Sequence, residues 1–326
     1  MKMLYPLKFK EIYKDKVWGS NRMSSLLNKE DCPFEQCGES WELASLENNV
    51  SVVANGFLEE NTLTELAEVY MGDLVGDKVY QRFGVNFPLL VKFLDTSDYL
   101  SVQVHPDNKV AALKHQSQGK TEMWYVLAAE PDSEIIVGFK KPVTRELFMS
   151  HLKNNTLREI LNVEKAAAGD VYHLPAGRIH AIGAGITLCE IQQASDVTYR
   201  VYDWDRPGMD GKPRELHVDQ ALEVMDFEAL PEYKTRYEPK ENGQVNLVKN
   251  EFFTTNLLTF HRDIELDYVF LDSFVVYVCL EGKGTIKYPS GKESFSKGDT
   301  ILLPAEIKNV TLQTHAECKI MEAYIH

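Results

Sequence analysis

The stretch GDVYHLPA, Gly169 to Ala176, returns 129 residues on as GDTILLPA, Gly298 to Ala305. A Gly-Asp turn, a short strand and a Pro-containing turn are the parts that bring distant segments of a β-barrel back to one wall. A fixed offset between two such units marks an internal duplication. Extending the match, His180 in the first copy stands where the second has Asn309. MWYVLAAE (123–130) resembles VVYVCLEG (275–282) at an offset of 152, which sets Glu122 against Phe274. The two offsets differ by 23 residues, about the size of a helical stretch over 142–162, so the first copy should carry an insertion. Elsewhere, short runs such as FPLLVKFLD and YLSVQVH, bounded by Gly, Pro and Asp, read as strands. The expected fold is mainly β: two duplicated barrels with helical insertions in the first, which alone carries chemically useful side chains.

Helical periodicity appears in three places. Leu63, Leu66, Ala67, Tyr70 and Leu74 share a face behind a Thr62-x-x-Glu65 capping box; Thr156-x-x-Glu159 offers a second box; Ala221, Leu222 and Met225 line up within 215–229. The polar, aperiodic stretch 231–246 reads as a boundary, dividing the chain into residues 1–238, the catalytic unit, and 239–326, a degenerate copy.

With 35 Lys and Arg against 49 Asp and Glu, the net charge of −14 argues against a nucleic-acid partner, since no basic patch is segregated from it. An anionic substrate must therefore be drawn in by a few cations local to the pocket. The five cysteines form an odd set without a Cys-x-x-Cys pair, which suits a reducing compartment. The N-terminus lacks an apolar signal core and the most apolar run is broken by Asp272 and Ser273. These features read as a cytoplasmic protein without a membrane partner.

In SVQVH, residues 101–105, valines alternate with Ser101, Gln103 and His105, which places the polar three on one face of a strand. Glu122 opens a following strand and His180 follows the proline turn. Two imidazoles, a carboxylate and an amide form a nitrogen and oxygen donor set without thiolate. Such a set suits a catalytic divalent ion with an open position, zinc before others. Gln103 either coordinates directly or hydrogen-bonds a ligand or substrate. Two His and a carboxylate also describe non-haem Fe(II) oxygenases, in which Asp107, two residues after His105, would supply the carboxylate. A non-catalytic sugar-binding barrel with a structural metal is the other alternative. The remaining seven histidines read as ordinary polar residues, and Trp18 and Trp41 as core or pocket wall.

PLLVKFLDTSDYLSVQVHPDN (88–108), GKTEMWYVL (119–127), HLPAGRIHAI (173–182) and EIQQASDVTYRVYDWDR (190–206) together resemble the type I mannose-6-phosphate isomerases, specifically the shorter bacterial class, over essentially the whole chain. The resemblance implies a cupin (jelly-roll) architecture, one zinc ion per chain and reversible isomerisation of mannose 6-phosphate to fructose 6-phosphate. It puts the metal ligands on His105, Glu122 and His180, with Gln103 where longer members have a ligand. It puts an active-site arginine on Arg200, a matching cation on Lys120, and phosphate contacts on Ser101 and Arg206.

Moving a carbonyl between C1 and C2 needs a base for a carbon-bound proton and positive charge for the enediolate. Lys120 and Arg200 suit the electrostatic part. The proton carrier is left between Asp196 and a metal-bound water, because arginine stays protonated and Glu122 is committed to the metal. Arg206, in the acidic run Asp203-Trp204-Asp205-Arg206, is either a phosphate fork or a surface ion pair.

Overall fold

The computed structural model describes residues 3–326. The first unit is a pair of facing antiparallel sheets. One has the strand order Val171–Leu174, Glu122–Ala129, Ile186–Gln193, Leu89–Asp95, Cys37–Leu43, Ile12–Ser20. The other runs Leu161–Lys165, Glu134–Phe139, His180–Ile182, Val102–Val104, Tyr199–Tyr202. The second unit repeats this strand order with one strand of its own fewer in each sheet. Its sheets run Thr300–Leu303, Val275–Glu281, Cys318–Tyr324, Thr254–Phe260, Gly243–Lys249 and Gly291–Ser296, Lys283–Tyr288, Asn309–Gln313, Ile264–Asp267. The duplication read from the Gly-Asp and Pro-Ala motifs is thus a duplication of sheet topology. Both Gly169 (φ +90) and Gly298 (φ +92) adopt the left-handed backbone that this turn requires. Among the described residues, strand pairing closes neither unit into a continuous barrel; each is two open sheets packed face to face, as twisted sheets of this size tend to be.

The structure corrects the register of the repeat. Leu174 lies opposite Glu122, and its counterpart Leu303 lies opposite Val275, so Val275 and not Phe274 is the equivalent of Glu122. Likewise Asn309 is exposed, whereas Val310 and Leu312 pack between the sheets of the second unit with Tyr277, Ile286 and Leu303. A slip of one residue exchanges the two faces of a strand, so sequence similarity alone misassigned what faces inward. Val275 and Tyr277 stand where the first unit has Glu122 and Trp124, while the same inward face of the second unit holds the buried Glu322, which accepts from Tyr268, Asn256 and Gln244.

Among the described residues, all six α-helices precede residue 225. Leu63–Val75 begins at Thr62 with the full reciprocal capping box to Glu65. The stretch 142–162 behaves differently from its reading: the helix is Arg145–Lys153, capped by Thr144, and Thr156 makes no side-chain cap ahead of a single 3-10 turn. The third helix is only Val218–Val224, and the helices Asp77–Phe83 and Asn108–His115 were not anticipated.

The two units share one core. Leu7–Lys8 pairs with Thr300–Leu303 of the second unit, and a cluster including Leu4, Leu7, Leu74, Val276, Leu302 and Met321 spans both. The chain's beginning therefore joins the sheet formed by its end. No helix among the described residues is long and apolar enough to cross a membrane.

Candidate metal and substrate site

Cross-strand register lines up two rows of side chains that face each other across the first unit. In one sheet Trp41, Lys92, Glu190, Trp124 and Tyr172 are successive Cα partners on five adjacent strands. In the other, Val137, His180, Gln103 and Arg200 form the corresponding row. Val102 and Val104 turn the other way into a separate apolar cluster, the alternation expected of this strand. Between the rows lies a cavity of about 250 Å³ whose lining includes Lys92, Lys120, Glu190, Asp196, Arg200 and Arg214. Ser101, Gln103, His180 and Trp18 also reach it.

His105, Glu122 and His180 are buried and bring one ligand atom each to within 4.8 Å of the others. His105 Nε2 is 3.5 Å from Glu122 Oε2, and His180 Nε2 is 3.2 Å from Glu122 Oε1. The Nδ1 of His105 hydrogen-bonds the Val197 carbonyl (3.0 Å) and that of His180 the Arg178 carbonyl (2.8 Å). Both rings thereby carry their proton on Nδ1 and turn the Nε2 lone pair toward the carboxylate, the arrangement that prepares an imidazole for a metal. His105 Nε2 and both Glu122 oxygens are buried without a hydrogen-bond partner. Buried polar atoms are rarely left unpartnered, so this constellation fits a cation at its centre.

The electrostatics of the group point the same way. Burial, followed by the charge of Glu190, pushes the Glu122 carboxyl up to about 8 despite Lys120 and Lys92. Burial also lowers His180 to about 4 and holds His105 well below its ordinary value. The group is thus neutral rather than an ion pair, and a divalent ion would supply the charge that ionises Glu122.

Gln103 presents its Nε2 to His180 Nε2 at 3.3 Å and accepts from Ser101 Oγ at 3.2 Å. Ser101 in turn receives Arg200 Nε (3.2 Å), so Arg200, Ser101, Gln103 and His180 form one hydrogen-bonded line. Lys120, 4% exposed, stands 3.4 Å from Glu122. Asp107, the carboxylate an oxygenase site would need, instead caps Asn108–His115 through Val110 N and takes no part in the cluster.

Of its two readings, phosphate fork or ion pair, Arg206 takes the ion pair. It does not line the cavity; Nη1 pairs with Asp98 (2.7 Å) and Nη2 with Asp203 (3.1 Å), while Nε is buried without a partner. Arg214, which the sequence reading passed over, lines the cavity instead. His217, read as an ordinary polar residue, lines it too. Lys92 and Glu190 were also missed, although a signal existed: each is a lone charge in an apolar strand, LLVKFLD and ITLCEIQQ. They pair at 2.9 Å, and Glu190 also accepts from Trp124 Nε1 at 2.6 Å. The local cations that a chain of net charge −14 requires are thus Lys16, Lys92, Lys120, Arg200 and Arg214, all in the cavity wall.

A family model described as phosphomannose isomerase type I, catalytic domain, matches residues 6–137, and one described as mannose-6-phosphate isomerase, cupin domain, matches residues 244–325. Mannose-6-phosphate isomerase ManA of Bacillus subtilis is 34% identical over 319 residues, which is 96% of this chain and 97% of that one. The chain belongs to the type I mannose-6-phosphate isomerases. Another member, the mannose-6-phosphate isomerase of Streptococcus mutans, is 35% identical over 94% of this chain and 95% of its own. The crystal structure of a mannose 6-phosphate isomerase from Bacillus subtilis, at 30% identity, superposes with a TM-score of 0.87 over 99% of this chain and 100% of its own. The matched cupin domain of the family falls on the second unit, in which Val275 takes the place of Glu122.

Proposed function

We propose that this chain is a zinc-dependent mannose-6-phosphate isomerase of the cytoplasm, with its chemistry in residues 1–238 and residues 239–326 serving as a packing partner. The observation that carries the reading is the buried His105, Glu122 and His180 group with unpartnered ligand atoms, which reaches, through His180, a cavity whose wall carries five cations. A nitrogen and oxygen donor set that leaves room for further ligands suits Zn²⁺, and five free cysteines suit a reducing compartment. The test is a coupled assay with mannose 6-phosphate: chelator abolishes turnover and zinc restores it. Absence of turnover in a fully metallated sample would overturn the reading.

His105, Glu122 and His180 would hold the ion, and rotating the Gln103 amide would bring its Oε1 to face the same centre. The ion, when bound, supplies Lewis-acid stabilisation to the oxygens on C1 and C2. Lys120 and Arg200 add fixed positive charge beside the enediolate, in a site where preorganised charge costs no reorganisation during reaction. For the proton on C2, Asp196 is the acceptor. Glu39 is held at about 2, where Lys92 and Lys16 outweigh the upward push of burial, and Glu190 is paired with Lys92. Asp196 lines the cavity and, among the described residues, forms no ion pair or hydrogen bond, so its carboxylate is free to take the proton and return it to C1. Asp196→Asn is expected to lower kcat by about 10²–10⁴, the usual reach of general-base catalysis, and to suppress exchange of the C2 proton with solvent. Retention of wild-type exchange would remove Asp196 from this role.

The phosphate would lie against Arg214, Arg200 and Ser101. Arg200 and Arg214 stand close enough that Arg214, after burial, is the main influence lowering the Arg200 pKa, which is the electrostatic condition of an anion subsite. Arg214→Ala is expected to raise KM for mannose 6-phosphate at least about tenfold, as loss of a charge-assisted contact does, with a smaller change in kcat.

A further inference from the structure

Asp203 occupies an unusual place at the neck of a hairpin. Residues 206 to 214 leave and return through the bridge Pro207 to Pro213 and the bond from Gly208 N to Lys212 O (2.7 Å). One arginine stands at each base of this hairpin, and both reach the same carboxylate. Arg214 donates Nε to Asp203 Oδ2 and Nη2 to Oδ1, each at 2.6 Å, while Arg206 Nη2 donates to Oδ1 at 3.1 Å. Arg206 Nη1 continues to Asp98 at 2.7 Å, three residues before Ser101. The result is a ladder of alternating charges, Asp98, Arg206, Asp203, Arg214, that runs from an exposed carboxylate to the cavity wall.

The backbone here is held under strain. Trp204 (φ 61) and Asp205 (φ 54) are consecutive non-glycine residues in the left-handed region, a conformation that persists only where surrounding contacts impose it. Those contacts are present: Trp204 Nε1 donates to Leu100 O at 2.7 Å and its ring packs on Tyr99 and Tyr202. Both ties fasten the Asp203 to Arg206 turn to the 98–101 segment. With Asp203 holding two of its nitrogens, the Arg214 guanidinium is left with Nη1 unpartnered among the described residues.

We propose that Asp203 is a positioning residue, which with Arg206 as a clasp fixes the Arg214 guanidinium in the cavity wall as the anion contact of the phosphosugar. The proposal rests on the phosphate reading given above and assigns Arg206 a role one step removed from the ligand. A carboxylate that acts only on the fold would lower stability without moving the phosphate Kd of the folded protein. One that acts through Arg214 has an effect that disappears when Arg214 is removed.

The test is a double-mutant cycle on the zinc-loaded full chain, with KM and kcat for mannose 6-phosphate and calorimetric binding of inorganic phosphate. Asp203→Asn is expected to raise both KM and the phosphate Kd about tenfold with kcat changed by less than about threefold, and to add nothing in the Arg214→Ala background. Full additivity with Arg214→Ala, or an unchanged phosphate Kd in Asp203→Asn, overturns the proposal. If Asp203→Asn does not fold, Asp98→Asn at the exposed end of the ladder replaces it. A phosphate Kd raised about two- to threefold, again only when Arg214 is present, supports the ladder, and an unchanged Kd overturns it. Phosphate binding that follows this pattern in a protein without isomerase turnover would sink the proposed function but leave the ladder standing.

Discussion

Glu122→Gln is expected to abolish zinc retention and to lower isomerase turnover by about 10³ or more, the scale of a lost Lewis acid. The amide matches the carboxylate in shape, so packing is preserved and the change isolates the charge. Metal loading should also release about one proton at pH 7, because Glu122, raised to about 8 by burial, enters the site protonated and leaves it as carboxylate. Calorimetry in buffers of different ionisation enthalpy measures that proton directly. The same shift decides how the metal-free protein responds to pH. A carboxyl whose folded pKa lies above its unfolded value binds more protons when folded, so its contribution to stability is full below about 4.5 and is lost as pH rises towards 8. His180, lowered to about 4, acts oppositely, withdrawing stability as pH falls from about 6.5 through 4. Apparent zinc affinity should therefore climb with pH up to about 8. Zinc titrations giving equal affinity at pH 6 and pH 8 would contradict the assignment of Glu122 as ligand.

Lys92→Met is expected to give the second large effect, a loss of stability. Lys92 is 4% exposed, and it pairs with Glu190 at 2.9 Å and Glu39 at 3.9 Å in the centre of a sheet. Burial alone would lower its pKa, but Glu190 and Glu39 outweigh burial and raise it. Removing the ammonium leaves Glu190 with only the Trp124 indole as donor, and breaking a buried pair by deleting one partner costs roughly 3–5 kcal/mol. Urea denaturation of the metal-free protein at pH 7 reads this directly. The double variant Lys92→Met/Glu190→Gln should recover much of the loss, since no uncompensated charge then stays buried. The deficit should shrink in acid, where Glu190, held low in the wild type by Lys92 and Lys120 against burial, is protonated in the variant.

The legibility of this protein in its sequence follows the range over which each signal acts. The Ser101 to His105 alternation is a property of one strand, and it placed Gln103 on the polar face and the valines in the core. The capping box at Thr62 needs four residues and was readable; the same pattern at Thr156 was not a cap, because the helix had already ended at Lys153 and a strand begins at Leu161. Arg206 and Arg214 show the limit. Both lie in polar, irregular chain, and nothing local separates the arginine that faces the cavity from the one that clasps the loop. That difference is made by Asp203 and Asp98, which reach them only after the hairpin folds.

Composition, strand periodicity and the repeated Gly-Asp and Pro-Ala motifs were enough to read a duplicated β protein and to single out His105, Glu122, His180 and Gln103 as the candidate ligands. Those are consequences of local backbone chemistry and of side-chain alternation, which the chain carries at every length scale above a few residues. Register, the membership of the cavity wall and the partner of each buried charge were decided only by tertiary structure. A one-residue shift between strands leaves the sequence pattern almost unchanged but turns every side chain to the opposite face, and only the packed sheets choose between the two.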